Sequence, residues 1–244
     1  MRSKTLKLSI VIPTLNEASG LRRTLLHTYR VCSHPERLEV LVIDNGSADN
    51  TLATIADLGV KTFEQPDLKG KKHAVLNYGA EQAQGEVVVF LDADTLLPQD
   101  FDLHIDRCLA APEVVGGAFD FAFVEKQWYL QGLAFANRIR IRIDHNFLGD
   151  QAVFCRKSTL ATIGGYPAKA IMESSFLCKA LKQKGRLKLV PARVHTSARR
   201  FLENGFIRVF LFDLKVWVLY SLGKNVDRFG ASYWQHNDQS QSDG

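Results

Sequence analysis

The chain has 244 residues, of which 46% are apolar and 23% are charged. That length supports one substantial α/β domain or two small ones, and that composition is typical of globular proteins and not of disordered ones. The net charge of +5 suits an anionic ligand such as a nucleoside diphosphate, or contact with an anionic membrane surface, and is too mild to predict nucleic-acid binding.

The cysteines and the N-terminal segment indicate the compartment. The four cysteines are scattered and form no C-x-x-C pair, which predicts neither a zinc site nor a disulfide framework and fits a reducing environment. Residues 1–13 contain only a short apolar run before a proline, which is typical of a first strand and not of a signal peptide. No uninterrupted apolar run reaches the roughly 18 residues of a membrane-spanning helix. We therefore predict a cytoplasmic protein, with peripheral contact at the inner face of the membrane left open.

Strands and helices alternate in the first part of the chain. Strands are predicted over residues 6–12, 38–43, 60–63 and 86–91, and helices over residues 17–29, 49–58 and 73–84. This alternation predicts βαβ units and a mostly parallel sheet, in which ligands bind at the carboxyl ends of the strands. Thr14, Asp44 and Asp92 each follow a predicted strand. We therefore expect these three residues to line one crevice.

The second part of the chain is less regular. Strands are predicted over residues 118–124, 152–155 and 187–190, and helices over residues 127–137, 174–184 and 206–222. Residues 138–143 alternate with a period of two, so their state is left open. Neither a repeat nor a linker divides the chain, which predicts one domain over residues 1–234. The polar residues 235–244 are predicted to form a disordered tail.

The segment EVVVFLDADT carries the first candidate site. Its apolar part is typical of a strand buried in a parallel sheet, and it delivers Asp92 and Asp94 into a turn. Two carboxylates so placed suit a hard divalent cation, Mg²⁺ or Mn²⁺, which completes its coordination shell with substrate phosphates. The alternative is a polar turn without a ligand.

Four segments in order along the chain resemble the family-2 glycosyltransferases, which have the GT-A fold. They are SIVIPTLNE, VLVIDNGSADNT, KGKKHAVLNYGA and VVVFLDADT, and with GDQAVFCR and HTSARRF the resemblance spans roughly residues 6–222. The last two segments resemble small bacterial enzymes of a transferase 2 subgroup associated with radical-SAM and selenium-domain genes. The resemblance implies a GT-A-like (nucleotide-diphospho-sugar transferase) α/β domain, with a mostly parallel central sheet flanked by helices. It also implies metal-dependent, inverting transfer from a nucleotide-sugar donor, UDP-type, to an acceptor hydroxyl of unknown identity, with a lipid-linked acceptor left open.

The resemblance assigns part of the donor site to the first two strand ends. The loop around the base and ribose is matched by Pro13, Thr14, Asn16 and Glu17. Asp44 matches the acidic residue that contacts the base, and a carboxylate can accept a hydrogen bond from a pyrimidine N–H. The alternative for Asp44 is an Asx turn that caps its own loop.

Other donor contacts are implied further along the chain. A segment beside the base is matched by Gly70, Lys71 and Lys72, whose lysines can pair with a diphosphate or simply lie in a solvated loop. Arg199 and Arg200 match a segment that closes the donor site, with a surface pair as the alternative. The metal and the donor diphosphate are matched by Asp92, Ala93 and Asp94, with Asp92 and Asp94 as the metal ligands.

The chain departs from the family pattern at the general base. Inverting transfer needs a base to deprotonate the acceptor hydroxyl, and the family usually supplies an aspartate at a helix start. Here Glu173 is present, but Ser174 occupies the usual aspartate position. Glu173 and Asp150 are the candidate bases, and a non-catalytic nucleotide-sugar-binding protein is the alternative. A nucleotidyltransferase is a further alternative, although the Gly-rich N-terminal loop usual in that class does not occur.

The predicted helix over residues 206–222 is apolar on nearly every side. Arg208 and Lys215 share one face of it, but the pattern is not cleanly amphipathic. This pattern favours burial against the domain or against a partner subunit, and a homodimer is therefore left open. Insertion into a membrane surface is the alternative.

Overall fold

The computed structural model describes residues 6–230, without the side chain of Ile143. The predicted disordered tail therefore lies outside the described residues. Within them, seven strands form one sheet in the order β3-β2-β1-β4-β6-β5-β7. The strands are β1 (Leu8–Thr14), β2 (Leu38–Asp44), β3 (Lys61–Glu64), β4 (Val87–Phe90), β5 (Val114–Phe123), β6 (Phe154–Arg156) and β7 (Arg186–Thr196).

Helices connect the strands and cover both faces of the sheet. The α-helices are α1 (Leu21–Val31), α2 (Lys72–Gln82), α3 (Phe101–Cys108), α4 (Trp128–Asp144), α5 (Lys157–Thr162), α6 (Glu173–Leu181), α7 (Arg199–Glu203) and α8 (Phe206–Ser221). Short 3₁₀ turns cover Pro35–Arg37, Ala53–Leu58, Pro66–Leu68, Gly149–Gln151 and Asp227–Phe229. Among the described residues, no helix has both the length and the apolar character needed to cross a membrane.

The sheet is mostly parallel, which confirms the predicted fold class. All neighbouring strands run parallel except the two pairs that involve β6. β1 and β2 pair in register over their whole length, so that Thr14 and Asp44 are partners at the carboxyl ends. β4 lies on the other side of β1, and the amide of Leu91 donates to the carbonyl of Val11 at 3.0 Å. The predicted strand ends therefore meet at one edge of the sheet.

The core forms two layers, one on each face of the sheet. Along β4, Val87 and Val89 pack into the layer that contains α1 and α3, while Val88 and Phe90 pack into the layer that contains α2 and α6. All four side chains are buried. This two-sided burial explains the continuous apolar run that predicted a central parallel strand.

The predicted helix over residues 49–58 is wrong in its first half. The carboxylate of Asp49 accepts the amides of Thr51 at 2.9 Å and Ala18 at 3.2 Å, which holds a turn, and only Ala53–Leu58 forms a 3₁₀ helix. Side chains of this type compete with the backbone for such hydrogen bonds and disfavour a helix.

Two other features of the helices extend the sequence prediction. Residues 138–143, which alternate polar and apolar side chains, belong to α4, because helix packing overrides their period of two. The short helices α3, α5 and α7 have no counterpart in the sequence prediction, although the buried Phe101 and Ile105 show a helical spacing in α3.

α8 is only partly buried against the domain. Val209 and Val216 are buried, whereas several large apolar side chains of the same helix are exposed. The expectation that the domain buries this helix therefore applies to one face only, since α8 packs at the edge of the fold.

Gly79 of α2 marks the closest approach of a helix to the sheet. A Cβ at this position would lie 2.3 Å from Cγ1 of Val11 and 3.1 Å from Cγ1 of Ile43. We expect Gly79→Ala to lower the free energy of unfolding by about 1–3 kcal/mol, because the overpacked layer must shift. Gly132→Ala in exposed α4 meets nothing within 4 Å and is the matched control, with a gain of up to about 1 kcal/mol. Urea unfolding of both variants checks this, and equal effects would contradict it.

Candidate active site

The turn after β4 is fixed by its middle residue. The carbonyl of Ala93 accepts a hydrogen bond from Oγ1 of Thr24 on α1 at 2.6 Å, and Ala93 itself is 5% exposed. The amide of Thr95 closes the turn on the carbonyl of Asp92 at 3.1 Å. Anchoring Ala93 in the core leaves Asp92 and Asp94 partly exposed at the carboxyl edge of the sheet.

Asp92 lies beside a lysine at the start of α2. Nζ of Lys72 is 2.7 Å from Oδ1 of Asp92 and 3.8 Å from Oε1 of Glu173. A Cβ built on Gly149 would lie 3.7 Å from Oδ2 of Asp92 and 3.4 Å from Oγ of Ser174. The structure therefore brings the residues after β4, the start of α2 and the start of α6 to one place.

Asp94 faces other acidic groups. Burial raises the pKa of the Asp94 carboxyl to about 7, with further increases from the negative charges of Asp92 and Glu17. Arg199 and Lys72 oppose this shift only in part. A cation that binds together with a ligand would favour the ionised form of the Asp94 carboxyl and lower its pKa.

Glu17 and Arg199 form the second ion pair of the site. Nη2 of Arg199 donates to Oε1 of Glu17 at 2.8 Å, although the two residues are 182 positions apart. Burial nevertheless raises the pKa of Glu17 above its ordinary value. Both predicted donor-site residues therefore lie beside Asp94.

The chain after Asp94 brings Arg199 to this place. Leu96 and His195 form an antiparallel bridge, with amide-to-carbonyl distances of 2.8 and 2.9 Å. Oγ1 of Thr95 also donates to Oγ1 of Thr196 at 3.0 Å. β7 therefore ends against the turn that carries Asp94, and α7 begins next to it.

The loops after β1 and β2 hold each other. The amide of Asn16 donates to Oγ of Ser47 at 2.9 Å, and Oδ1 of Asn16 accepts the amide of Ala48 at 2.8 Å. The amide of Glu17 donates to Oγ1 of Thr51 at 2.8 Å. Glu17 is thus placed by loop contacts that precede α1.

Asp44 binds its own loop. It is 3% exposed, and Oδ2 accepts the amides of Gly46 at 3.1 Å and Ser47 at 2.9 Å. Oγ1 of Thr14 lies 3.4 Å from Oδ1 of Asp44. These are the contacts of the Asx-turn alternative, so a role in contacting a base stays a prediction for Asp44.

The remaining predicted donor residues lie at different distances from this centre. Pro13 is partly exposed beside Ile43 of β2, whereas Gly70 and Lys71 are exposed before α2. Lys72, which the resemblance assigns with Gly70 and Lys71 to the segment beside the base, contacts Asp92. Its signal in the sequence is its place as first residue of the helix after the Gly70 turn.

Arg200 has a different neighbour from Arg199. It forms an ion pair with Asp213 of α8, and its guanidinium lies 5.4 Å from the ring centre of Phe201. The charge of Arg200 also opposes the rise in the pKa of Asp150 that burial and Asp92 cause.

Asp150 and Glu173 are the two carboxylates near the expected acceptor side. Burial, and then the charge of Asp92, raises the pKa of Asp150 to about 6. Its Oδ1 is buried and accepts no hydrogen bond from the described residues. Glu173 is 8% exposed as the first residue of α6, and Ser174 beside it lies 3.4 Å from the hydroxyl of Tyr166.

Three of the five non-glycine residues with positive φ in the described part of the chain lie beside these side chains. The non-glycine residues Asn16, Ala152 and Met172 have φ values of 55°, 46° and 60°. They adjoin Glu17, Asp150 and Glu173, respectively, within two positions. Such conformations persist where the surroundings impose them, and they are frequent at functional sites.

Comparison with known families matches residues 9–163, more than half of the chain, to the model described as Glycosyl transferase family 2. The chain is 35% identical over 111 residues to the undecaprenyl-phosphate 4-deoxy-4-formamido-L-arabinose transferase of Pseudomonas savastanoi pv. phaseolicola (strain 1448A / Race 6), covering 43% of this chain and 32% of that protein. It is 38% identical over 109 residues to the validoxylamine A glucosyltransferase of Streptomyces hygroscopicus subsp. limoneus, covering 43% of this chain and 23% of that protein. The matched region thus spans about a third or less of these relatives.

Solved structures give the same fold. The mannosyltransferase PcManGT from Pyrobaculum calidifontis, in complex with GDP-Man and Mn2+, aligns with a TM-score of 0.63 and 24% identity over 79% of this chain and 57% of that chain. S. aureus TarS 1-349 in complex with UDP-GlcNAc aligns with a TM-score of 0.60 and 16% identity over 78% of this chain and 58% of that chain. These alignments confirm the GT-A fold. Because the family model also covers more than half of the residues, the chain belongs to glycosyl transferase family 2.

Proposed function

We propose that this protein transfers a sugar, with inversion, from a nucleoside-diphosphate sugar to an acceptor hydroxyl in a metal-dependent reaction. The observation that carries the proposal is the placement of Asp94 between Asp92, Glu17 and Arg199 at the carboxyl edge of the sheet. Burial, and then the negative charges of Asp92 and Glu17, raises the pKa of Asp94 to about 7, and Arg199 and Lys72 oppose this shift only in part. A divalent cation bound together with the donor diphosphate would favour the ionised carboxylates.

Asp92 and Asp94 fit a divalent cation. No three His, Cys, Asp or Glu side chains between residues 6 and 230 are grouped so as to hold a metal ion by themselves. Mg²⁺ and Mn²⁺ are commonly bound by one or two carboxylates together with substrate phosphates, which suits this pair. When bound, the ion stabilises the negative charge of the departing nucleoside diphosphate. Mn²⁺ is present in the complex of the mannosyltransferase PcManGT.

The cations and the first loops support binding of the donor. Lys72 and Arg199 both lie beside the carboxylate pair, where they can contact a diphosphate. Pro13, Thr14 and Asp44 lie at the neighbouring strand ends and are proposed to flank the nucleoside. We favour a UDP sugar, as in the TarS complex with UDP-GlcNAc, over the GDP sugar of the mannosyltransferase complex.

The proposed reaction moves one proton and exchanges one bond. The acceptor oxygen forms a bond to the anomeric carbon, and the bond from that carbon to the diphosphate oxygen breaks, with its electron pair leaving on the nucleoside diphosphate. The acceptor proton passes to a carboxylate. We assign this base to Asp150, since a pKa of about 6 lies near neutral pH and its Oδ1 has no partner among the described residues. Glu173 is the competing candidate.

A lipid-linked acceptor is the proposed class of substrate. The support is the relative named as an undecaprenyl-phosphate transferase, which shares 35% identity with 43% of this chain. A phosphate-linked acceptor hydroxyl would also suit the basic residues near the site.

A donor-binding screen tests the proposal. UDP-, GDP- and dTDP-sugars are titrated into the protein by calorimetry, each with and without Mn²⁺. We expect one donor to bind more tightly with Mn²⁺, and Asp92→Asn to remove that gain. Asp57→Asn is the control, because Asp57 is exposed and pairs with Arg22 on the surface. If no donor bound either with or without Mn²⁺, the proposal would be wrong.

The pKa of Asp94 predicts how metal binding depends on pH. Because this pKa is about 7 when folded and lower when unfolded, the metal-free protein loses stability as pH rises from about 4 to 7. Protons also compete with the metal below pH 7, so we expect apparent Mn²⁺ affinity to fall by up to about tenfold per pH unit there. Thermal unfolding with UDP, at several pH values and with or without Mn²⁺, measures both trends. A Mn²⁺ effect that is constant from pH 5 to 8 would contradict this assignment.

A donor-binding protein without catalysis is the second candidate function. The observation that favours it is Ser174, a neutral side chain at the position where the family usually has a carboxylate. Release of nucleoside diphosphate from a bound donor separates the two functions. Donor binding without any turnover, in the presence of candidate acceptors and Mn²⁺, would favour the binding protein.

A further inference from the structure

The outer surfaces of α4 and α8 expose large apolar side chains. We define the α4–α8 face by Trp128, Phe135 and Ile139 on α4 and by Ile207, Leu211, Leu214, Val218 and Leu222 on and just after α8. Trp128 is 84% exposed and Ile207 is 71% exposed. Single exposed apolar residues are ordinary on a protein surface, but eight large ones on two neighbouring helices favour an interaction surface.

The two helices lie side by side and run in the same direction. The rings of Tyr129 and Phe206 are 4.6 Å apart near the start of both helices. Near their ends, Nδ2 of Asn146 lies 3.3 Å from the hydroxyl of Tyr220. The exposed residues recur at intervals of seven and four along α4 and of three or four along α8, so each helix presents one stripe.

A groove lies where the two helices begin. It has a volume of about 600 Å³ and an almost wholly apolar lining. Its lining residues are Trp128, Tyr129, Gly205, Phe206, Ile207 and Arg208. Because residues from the start of both helices line this groove, it continues the α4–α8 face.

The exposed charges around this face are predominantly positive, and Glu203, just before α8, is the exposed acidic residue beside it. The exposed charged residues of segments 124–145 and 205–230, histidine aside, are Lys126, Arg142, Arg208, Lys215, Lys224 and Arg228. The acidic residues of these segments are partly buried, and each is bound to a neighbour. The pairs are Glu125 with the amide of Ala198, Asp144 with Arg140, Asp213 with Arg200 and Asp227 with Lys169.

We propose that the α4–α8 face docks on an anionic membrane surface, with the apolar stripes in the headgroup region and the cations against lipid phosphates. An apolar stripe flanked by lysine and arginine is the chemistry of an interfacial helix. A second copy of the chain suits the face less well, because a symmetric contact would bring cations against cations.

The docked face adjoins the candidate active site. The inner side of α8 packs on α6, where the rings of Phe176 and Tyr220 are 5.0 Å apart and the Tyr220 hydroxyl donates to the carbonyl of Ser175 at 3.3 Å. Ser175 lies two residues after Glu173. If the proposed function holds, docking presents the acceptor side of the site to lipid-linked hydroxyls; the docking itself does not depend on that function.

Vesicle flotation without nucleotide or metal tests the docking. Phosphatidylcholine vesicles with and without phosphatidylglycerol are compared, using wild type, the double variant Ile207→Glu/Leu211→Glu and the double variant Lys215→Gln/Lys224→Gln. Wild type is expected to float only with the anionic vesicles. The apolar double variant should have a partition coefficient on anionic vesicles at least about tenfold lower than that of wild type. Each removed cation should lower this coefficient by about fivefold.

Controls separate docking from misfolding and from self-association. Leu26→Glu changes an exposed leucine on α1, which is not part of the α4–α8 face, and is expected to float like wild type. Circular dichroism checks that each variant is folded. A blue shift of Trp128 fluorescence on anionic vesicles, absent in Trp128→Phe, is also expected. Wild type that stays in solution would overturn the proposal, and so would a concentration-dependent dimer that Leu211→Glu dissociates, since the face would then belong to a second copy.

Discussion

Asp94→Asn is expected to reduce metal-dependent sugar transfer by about a thousandfold or more. The substitution keeps the shape of the side chain but removes one of the two carboxylates proposed to hold the metal, which would stabilise the departing diphosphate. A thousandfold loss corresponds to about 4 kcal/mol of transition-state stabilisation. The measurement is release of nucleoside diphosphate with Mn²⁺ over a range of donor concentrations.

The same variant is expected to stabilise the metal-free protein although it lowers activity. Replacement of a residue with only a structural role would lower stability instead. Partial burial beside Asp92 and Glu17 raises the pKa of Asp94 to about 7, so the free-energy cost of its ionised form in the folded protein is fully present above that pH. We therefore expect metal-free Asp94→Asn to be more stable than wild type at pH 8. Asp57→Asn, at an exposed ion pair, serves as the matched control with unchanged transfer. Near wild-type transfer by Asp94→Asn would remove this residue from the mechanism.

Asp150→Asn is expected to lower the rate of transfer by about 10²- to 10⁴-fold while donor affinity stays nearly unchanged. The range is that of a general base, and Asp150 can fill this role because burial and the charge of Asp92 raise its pKa to about 6. Wild type should therefore lose activity as pH falls through about 6, and the variant should lose this limb of the pH profile. Single-turnover rates at saturating donor measure both effects.

Glu173→Gln is the matched variant for this test. Glu173 starts α6, where the helix dipole favours a carboxylate, and it lies 3.8 Å from Nζ of Lys72. Glu173→Gln is expected to lower the rate of transfer by less than about tenfold, as for a residue that only helps to orient Lys72. If Glu173→Gln lowered the rate of transfer more than Asp150→Asn, the base would be Glu173. Two fully active variants would exclude both residues as the base.

Local patterns were sufficient to predict the framework of the donor site. The run EVVVFL is apolar at every position because β4 is buried on both faces, and this alone predicted a central strand ending at Asp92. The turn residues after β1 and β2 likewise predicted that Thr14 and Asp44 share an edge with it, as their register confirms. Strand ends are predictable because parallel strands must point the same way.

Local patterns did not predict the structure in two situations. In one, side chains compete with the backbone for hydrogen bonds, and in the other, several faces of a helix are similarly apolar. The carboxylate of Asp49 accepts the amides of Thr51 and Ala18 and holds a turn where a helix was predicted over residues 49–58. α8 is apolar all round, so its sequence does not indicate which stripe the domain buries and which it leaves exposed. Only packing against α6 and its neighbours makes that choice.

The sequence by itself determined the family, the mostly parallel sheet and the order of its chemical residues, because these depend on periodicity and on short motifs. Only the tertiary structure decided which charges meet: Lys72 with Asp92, and Arg199 with Glu17 across 182 positions. It also decided that Asp94 and Asp150 have raised pKa values, since burial and neighbouring charge depend on the whole fold. Ion pairs and pKa values arise from distances in space, and sequence spacing does not contain those distances.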